Sequence, residues 1–169
     1  MKKYFLMMMA IFAINLQGVN AQTKIVSGHP DFKVKVSRCV ASGKSVIMDL
    51  IFQNIGANDV QDVTVIGSYN GASEAYDSEG NIYKNNDSDI EIKVANASGY
   101  DCHESGRFYL PTDVPIKCSV RINGVPENAE SIARLILIVN CPAWSLGWEN
   151  RVKISNVPIS RYKRSIHEY

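Results

Sequence analysis

The sequence predicts an all-β fold, an antiparallel sandwich of about eight to ten short strands. Three observations predict it. Apolar and polar residues alternate with period two through most of the chain, the mark of half-buried strands. Turn-forming residues interrupt the alternation every ~8–12 residues. A single stretch, Pro126-Glu127-Asn128-Ala129-Glu130-Ser131, looks helical, and it is about one turn long.

Phe32, Val34 and Val36 alternate with Lys33, Lys35 and Ser37, so one face is apolar and the other wet. After the turn Ala41-Ser42-Gly43-Lys44, Val46, Met48, Leu50 and Phe52 resume the phase against Asp49 and Gln53. Val63 and Val65 mark a third strand. Glu74–Asp77 and residues 81–84 flank Ser78-Glu79-Gly80, a tight hairpin in which glycine takes positive φ. Ile90, Ile92 and Val94 alternate with Asp89, Glu91 and Lys93. Ile116, Cys118, Val120 and Ile122 point one way, and Lys117, Ser119 and Arg121 the other.

Leu135-Ile136-Leu137-Ile138-Val139 is apolar on both faces, which places it in the middle of a sheet. Val152 and Ile154, then Val157 and Ile159, close the series, and the phase slip at Ser155-Asn156 predicts a bulge. No internal repeat or linker composition divides the chain. The expectation is one immunoglobulin-like β-sandwich domain over residues 22–169, with one short helical turn.

The first twenty-one residues are of another kind. Met1-Lys2-Lys3 is a basic start, residues 4–14 are uncharged and apolar, and Val19-Asn20-Ala21 puts small residues where a signal peptidase reads. This is a secretory signal peptide, cut between Ala21 and Gln22. The apolar run is about half of the ~20 residues a bilayer requires. A lipobox needs cysteine directly after the cut, and Gln22 stands there. A periplasmic or extracellular product is expected, with no membrane insertion after cleavage.

Removing residues 1–21 from the 169 leaves 148, enough to bury a core as one domain. Lys2 and Lys3 leave with the signal, so sixteen Lys and Arg then face seventeen Asp and Glu. That balance gives no electrostatic case for nucleic acid or anionic lipid as a partner. The basic tail Arg161-Tyr162-Lys163-Arg164 reads as a solvated terminus. Cys39, Cys102, Cys118 and Cys141 all follow the cut, and an even count in an exported chain favours two disulfides. Without a CxxC pair, a zinc or thioredoxin-like centre has little support.

Four groups of residues merit weighing for chemistry. Asp101-Cys102-His103-Glu104-Ser105 holds the residue types of a thiol nucleophile, but sequence neighbours are badly placed to meet through their side chains. His29 and His167 lie near the termini and form no cluster. Asp77, Glu79, Asp87 and Asp89, with Asn81, Asn85 and Asn86, hold enough oxygens for calcium. EF-hand order is absent, with Ile82 where its glycine belongs, and solvated turns account for them. Last, Trp144 and Trp148 share the connection Cys141-Pro142-Ala143-Trp144-Ser145-Leu146-Gly147-Trp148. They either fold back as a plug on the core or, with Tyr100 and Tyr109, form a sugar-stacking surface. The plug is the favoured reading, because Trp is usually largely buried.

Four segments resemble the small exported bacterial immunoglobulin-like (telokin-like) domains of unknown function. They are Ala75-Tyr76-Asp77-Ser78-Glu79-Gly80-Asn81-Ile82-Tyr83, Leu110-Pro111-Thr112-Asp113-Val114-Pro115-Ile116-Lys117, Ala133-Arg134-Leu135-Ile136-Leu137 and Val152-Lys153-Ile154-Ser155-Asn156-Val157-Pro158-Ile159. The resemblance implies a sandwich in an extracytoplasmic setting and carries no catalytic residues. Its topology implies the pairing Cys102–Cys141, which leaves Cys39–Cys118. The sequence is therefore read as a non-catalytic, monomeric binding or structural accessory domain for a protein or glycan, without a cofactor. The rivals are a carbohydrate-binding module using Trp144, Trp148, Tyr100 and Tyr109, and a thiol-dependent enzyme.

Overall fold

A computed structural model describes residues 22–67, 73–84, 89–98, 105–144 and 150–161. Within them run β1 (Lys24–Val26), β2 (Phe32–Ser42), β3 (Ser45–Asn54), β4 (Val60–Ile66), β5 (Glu74–Asp77), β6 (Ile82–Tyr83), β7 (Ile90–Val94), β8 (Phe108–Leu110), β9 (Ile116–Asn123), β10 (Ser131–Asn140) and β11 (Arg151–Pro158). All pairings between these strands are antiparallel. One sheet is ordered β1-β11-β10-β4-β8, with β5 and β6 joined to it through β10, and the other β2-β3-β9-β7. The molecule is an all-β sandwich.

β2 shows how sequence becomes geometry. Phe32, Val34 and Val36 face the core, and strict alternation would send Arg38 in after them and Cys39 out. The pairing with β3 instead shifts between Val36 and Arg38, so that Ser37 is the extra residue of a bulge. Arg38 then points to solvent and Cys39 is buried, 6% exposed. A charged guanidinium in an apolar core would be far more costly than one irregular residue. Gly43, at φ 60°, lets the chain turn back into β3 between Ser42 and Ser45.

The apolar strand at residues 135–139 takes the central place expected of it. β10 pairs with β11 along one edge and with β4 and β5 along the other. The slip at Ser155-Asn156 is also present: Asn156 takes φ 58° and burial passes from Ile154 to Val157. β10 changes phase at the same level, from Ile132 to Leu135, so the two strands stay in step.

The core lies between the sheets. Phe52 of β3 stacks on Phe108 of β8 with ring centroids 6.4 Å apart, and Phe32, Leu50, Leu110, Leu135, Leu137 and Ile154 are fully buried around them. Each such side chain contributes about 1.5–3 kcal/mol by leaving water.

Two expectations are corrected. Residues 126–131 form a turn closed by Ala129 N–H donating to the Pro126 carbonyl at 3.2 Å, and no helix. β10 starts at Ser131, too soon for further helical hydrogen bonds. A 3-10 turn lies instead at Pro142–Trp144. The Cys39–Cys118 disulfide is not formed, and both cysteines are free thiols. Cys39 pairs across to Met48 of β3, and Cys118 to Leu50. A whole strand therefore separates them, about 10 Å at ordinary strand spacing, and a disulfide needs Cα atoms within ~7 Å. Cys102, the other half of the Cys102–Cys141 pairing, lies outside the described residues; Cys141 is a buried free thiol. Among the described residues, no helix is long and apolar enough to cross a membrane.

Candidate functional site

The end of the sandwich near the 3-10 turn carries the aromatic residues singled out from the sequence. Trp144 is half-buried. One face of its indole stacks on the His29 ring, centroids 4.5 Å apart and planes 11° from parallel. It also meets the buried Phe32 ring at 5.6 Å. This is the plug: Trp144 closes the core from above Phe32 and His29 lies over it. The His29 Nδ1 atom accepts a hydrogen bond from Asp31 N–H at 3.1 Å, which holds the imidazole in place.

Tyr109 behaves differently. It projects from β8 with 41% of its surface exposed. Its hydroxyl donates to Asp59 Oδ2, while Asp59 Oδ1 accepts Thr112 N–H at 2.8 Å. The Thr112 and Tyr109 hydrogen bonds favour the charged form and hold the Asp59 carboxyl below the usual carboxylate range. The same bond raises the Tyr109 hydroxyl pKa. Asp59 bonds to Tyr109 and shares a pocket wall with Trp144. It borders a pocket of about 210 Å³ together with Trp144, Asp31, Asn54 and Asn58. The buried Asn54 shapes this wall, donating to the Asn58 carbonyl at 2.8 Å and accepting Gly56 N–H at 2.9 Å. Tyr100, Trp148 and the Asp101-Cys102-His103-Glu104 run lie outside the described residues, as do Asp87 and His167.

The acidic hairpin is built from the inside. Asp77 is 2% exposed and accepts four hydrogen bonds: from Glu79 N–H, Asn81 N–H, the Asn81 side-chain amide and the Tyr83 hydroxyl, at 2.7–2.9 Å. Burial alone would push its carboxyl up. The bonds from Asn81, Tyr83 and Glu79 outweigh burial, and the carboxyl lies below its ordinary value. Gly80, at φ 86°, completes the turn. A carboxylate whose oxygens already receive four donors holds a hairpin together and offers a cation little. Asp89 likewise accepts Lys84 N–H at 3.0 Å.

The described thiols are poor nucleophiles. Burial pushes Cys39 up to about 12, and it raises Cys118 further, with the Asp49 charge adding to the effect. Cys141 is raised by burial in spite of bonds from Trp144 and Ala143 N–H. A reactive cysteine needs the opposite, a stabilised thiolate.

The carboxylate that sequence reasoning passed over is Asp49. It points to the outer side of β3, is 4% exposed, and receives Arg38 Nε at 2.8 Å, Arg38 Nη2 at 2.7 Å and Lys117 Nζ at 3.6 Å. Its outward position was legible from the alternation of residues 46–52. Its partners depended on cross-strand register, which the bulge at Ser37 sets.

No family model matches the chain, and no curated protein matches it. Among solved structures, it is similar to part of a family 123 glycoside hydrolase from Clostridium perfringens, described for glycolipid glycan hydrolysis. The identity is 13% and the TM-score 0.41, over 83% of this chain and 27% of that one, so the chain spans about a quarter of that enzyme's length. A second is AvmM, which catalyses macrocyclization in alchivemycin A biosynthesis: 9% identity and TM-score 0.34, over 82% of this chain and 94% of the other. Likeness at this level carries no functional inference.

Proposed function

We propose that this protein is an exported, non-catalytic, immunoglobulin-like domain that works by binding or as a structural accessory. One observation carries the reading: among the described residues, the thiol, imidazole and buried carboxylate side chains weighed for chemistry are committed to holding the fold. The thiols of Cys39, Cys118 and Cys141 are buried, His29 is stacked on Trp144, and Asp77 is filled by four donors. Two antiparallel sheets around one apolar core support the immunoglobulin-like assignment, and the leader at residues 1–21 supports export. Alkylation of the folded mature protein without reductant tests the non-catalytic reading. Cys39, Cys118 and Cys141 are expected to stay unmodified until denaturant is added. Rapid labelling of any one of them in the folded state would restore the thiol-enzyme alternative.

Glycan binding at the loop end is a second reading, favoured by the exposed ring of Tyr109 beside Asp59. The stack on His29 leaves Trp144 poorly placed to offer its face to a sugar, so the platform would centre on Tyr109. A glycan screen comparing wild type with Tyr109→Ala tests it, and binding that survives the substitution rejects it.

A further inference from the structure

The outer face of the four-stranded sheet is a second, independent surface, and register lays out its side chains as a grid. Lys35 of β2 lies level with Ile51 of β3 and Lys117 of β9. The next row reads Arg38, Asp49, Ser119 and Lys93 across all four strands, and the next Val40, Ile47, Arg121 and Glu91. Lys33, beside Gln53, extends the face at one end. Six cations thus share a face with Asp49 and Glu91, and with Asp89 at its end, where the β7–β9 ladder closes on Asn123. Asp49 is buried beneath Arg38 and Lys117, and Glu91 accepts the Asn123 amide at 2.8 Å. Lys33, Lys35, Arg38, Lys93 and Lys117 are exposed.

The near-zero charge of the mature chain therefore hides a segregation. Cations line this face, while Asp31, Asp59, Glu79, Asp113, Glu127 and Glu130 sit in turns and loops and Asp62, Glu74 and Asp77 in strands of the other sheet. Neighbouring strands are about 4.8 Å apart, so Lys35 and Lys117 stand about 10 Å from each other across Ile51. Local fields of this kind attract a polyanion whatever the net charge of the molecule.

We propose that this face is a docking platform for a linear acidic polysaccharide, one carrying carboxylate or sulfate groups. Charge complementarity calls for a polyanion, and the rest of the face narrows its class. The half-buried Ile47 and Ile51 offer aliphatic shelves between the cations, suited to the C–H faces of sugar rings. Described residues on this face include no aromatic ring on which nucleic-acid bases would stack. Among the described residues, the exposed large apolar ones, Val26, Ile55, Ile82, Tyr109 and Val114, all lie off it, which favours a soluble polymer over a bilayer.

The test uses the full mature protein with polygalacturonate and dextran sulfate as probes, and neutral dextran as control. At least one acidic polymer is expected to bind, with affinity falling about tenfold or more between about 50 mM and about 200 mM salt, and neutral dextran is expected not to bind. Lys33→Gln combined with Lys35→Gln, which leaves the cations on Asp49 in place, should weaken binding about tenfold with the melting temperature nearly unchanged. The opposite sheet supplies the matched control: Lys24→Gln with Arg134→Gln removes as much charge and should leave binding intact. Absence of binding to both acidic polymers overturns the proposal. So does equal loss from the two double variants, or tighter binding to duplex DNA or to phosphatidylglycerol vesicles than to either polysaccharide.

Discussion

Asp49 and Asp77 are both buried carboxylates in strands, and they are satisfied in opposite ways. Asp49 is held by full charges on long, half-solvated side chains from β2 and β9. Asp77 is held by neutral donors, all within six residues of it in sequence. When the Asp49 carboxylate is removed, Arg38 and Lys117, more than half exposed, turn to water. When the Asp77 carboxylate is removed, two backbone N–H groups and a buried tyrosine hydroxyl are left facing each other. Charge strength and structural importance run in opposite directions here, because the cost follows what remains behind.

That contrast gives an ordered set of outcomes. Asp77→Ala should be the most damaging, costing about 3 kcal/mol in denaturant unfolding as its donors lose their acceptor. A loss well under about 1 kcal/mol would show that water replaces the carboxylate and would break the comparison. Asp49→Ala should cost about 1 kcal/mol, and the gap from wild type should narrow as salt is added. A salt-independent gap would mean that the pair acts as a buried one. Asp59→Asn should be the mildest, visible as faster local exchange at the Thr112 amide more than in global stability. Its folded carboxyl is held low, so the stabilisation it gives is present above the unfolded pKa and is lost as pH falls through the folded one. Wild type and Asp59→Asn should accordingly converge in acid. Divergence there instead would show that the Tyr109 contact is not charge-assisted.

The architecture was legible where side chains alternate over many residues, as at β2, β3 and β9, and where a run apolar on both faces marks a central strand, as at β10. β1 and β8, three residues each, are too short to show a period, and tertiary pairing alone makes them strands. The misplaced helical turn has a similar cause: local propensity suggested it, and the nearness of Ser131 at the start of β10 left it no room. Of the candidate site, the plug role of Trp144 was legible from its size and position, while its stack on His29 was not. Residues 115 apart in sequence meet only because the fold closes. The Cys39–Cys118 pairing failed on strand order, which composition and spacing do not encode. Likewise, the net charge hid the basic sheet face because it sums over surfaces that the fold keeps apart.

The extra residue at Ser37 has an effect beyond returning Arg38 to solvent. β2 is an outer strand, and a straight outer strand is a template on which a second molecule can lay its own. A neighbouring copy approaching this border would bring its own Lys33 and Lys35 against like charges, would meet the bulge at Ser37, and beyond it would find Cys39 and Ala41 already bonded to Ser160. The kink that keeps a guanidinium out of the apolar core also ends the open part of this border, so that, among the described residues, only the lysine-bearing stretch before it is left unpaired by a neighbouring segment.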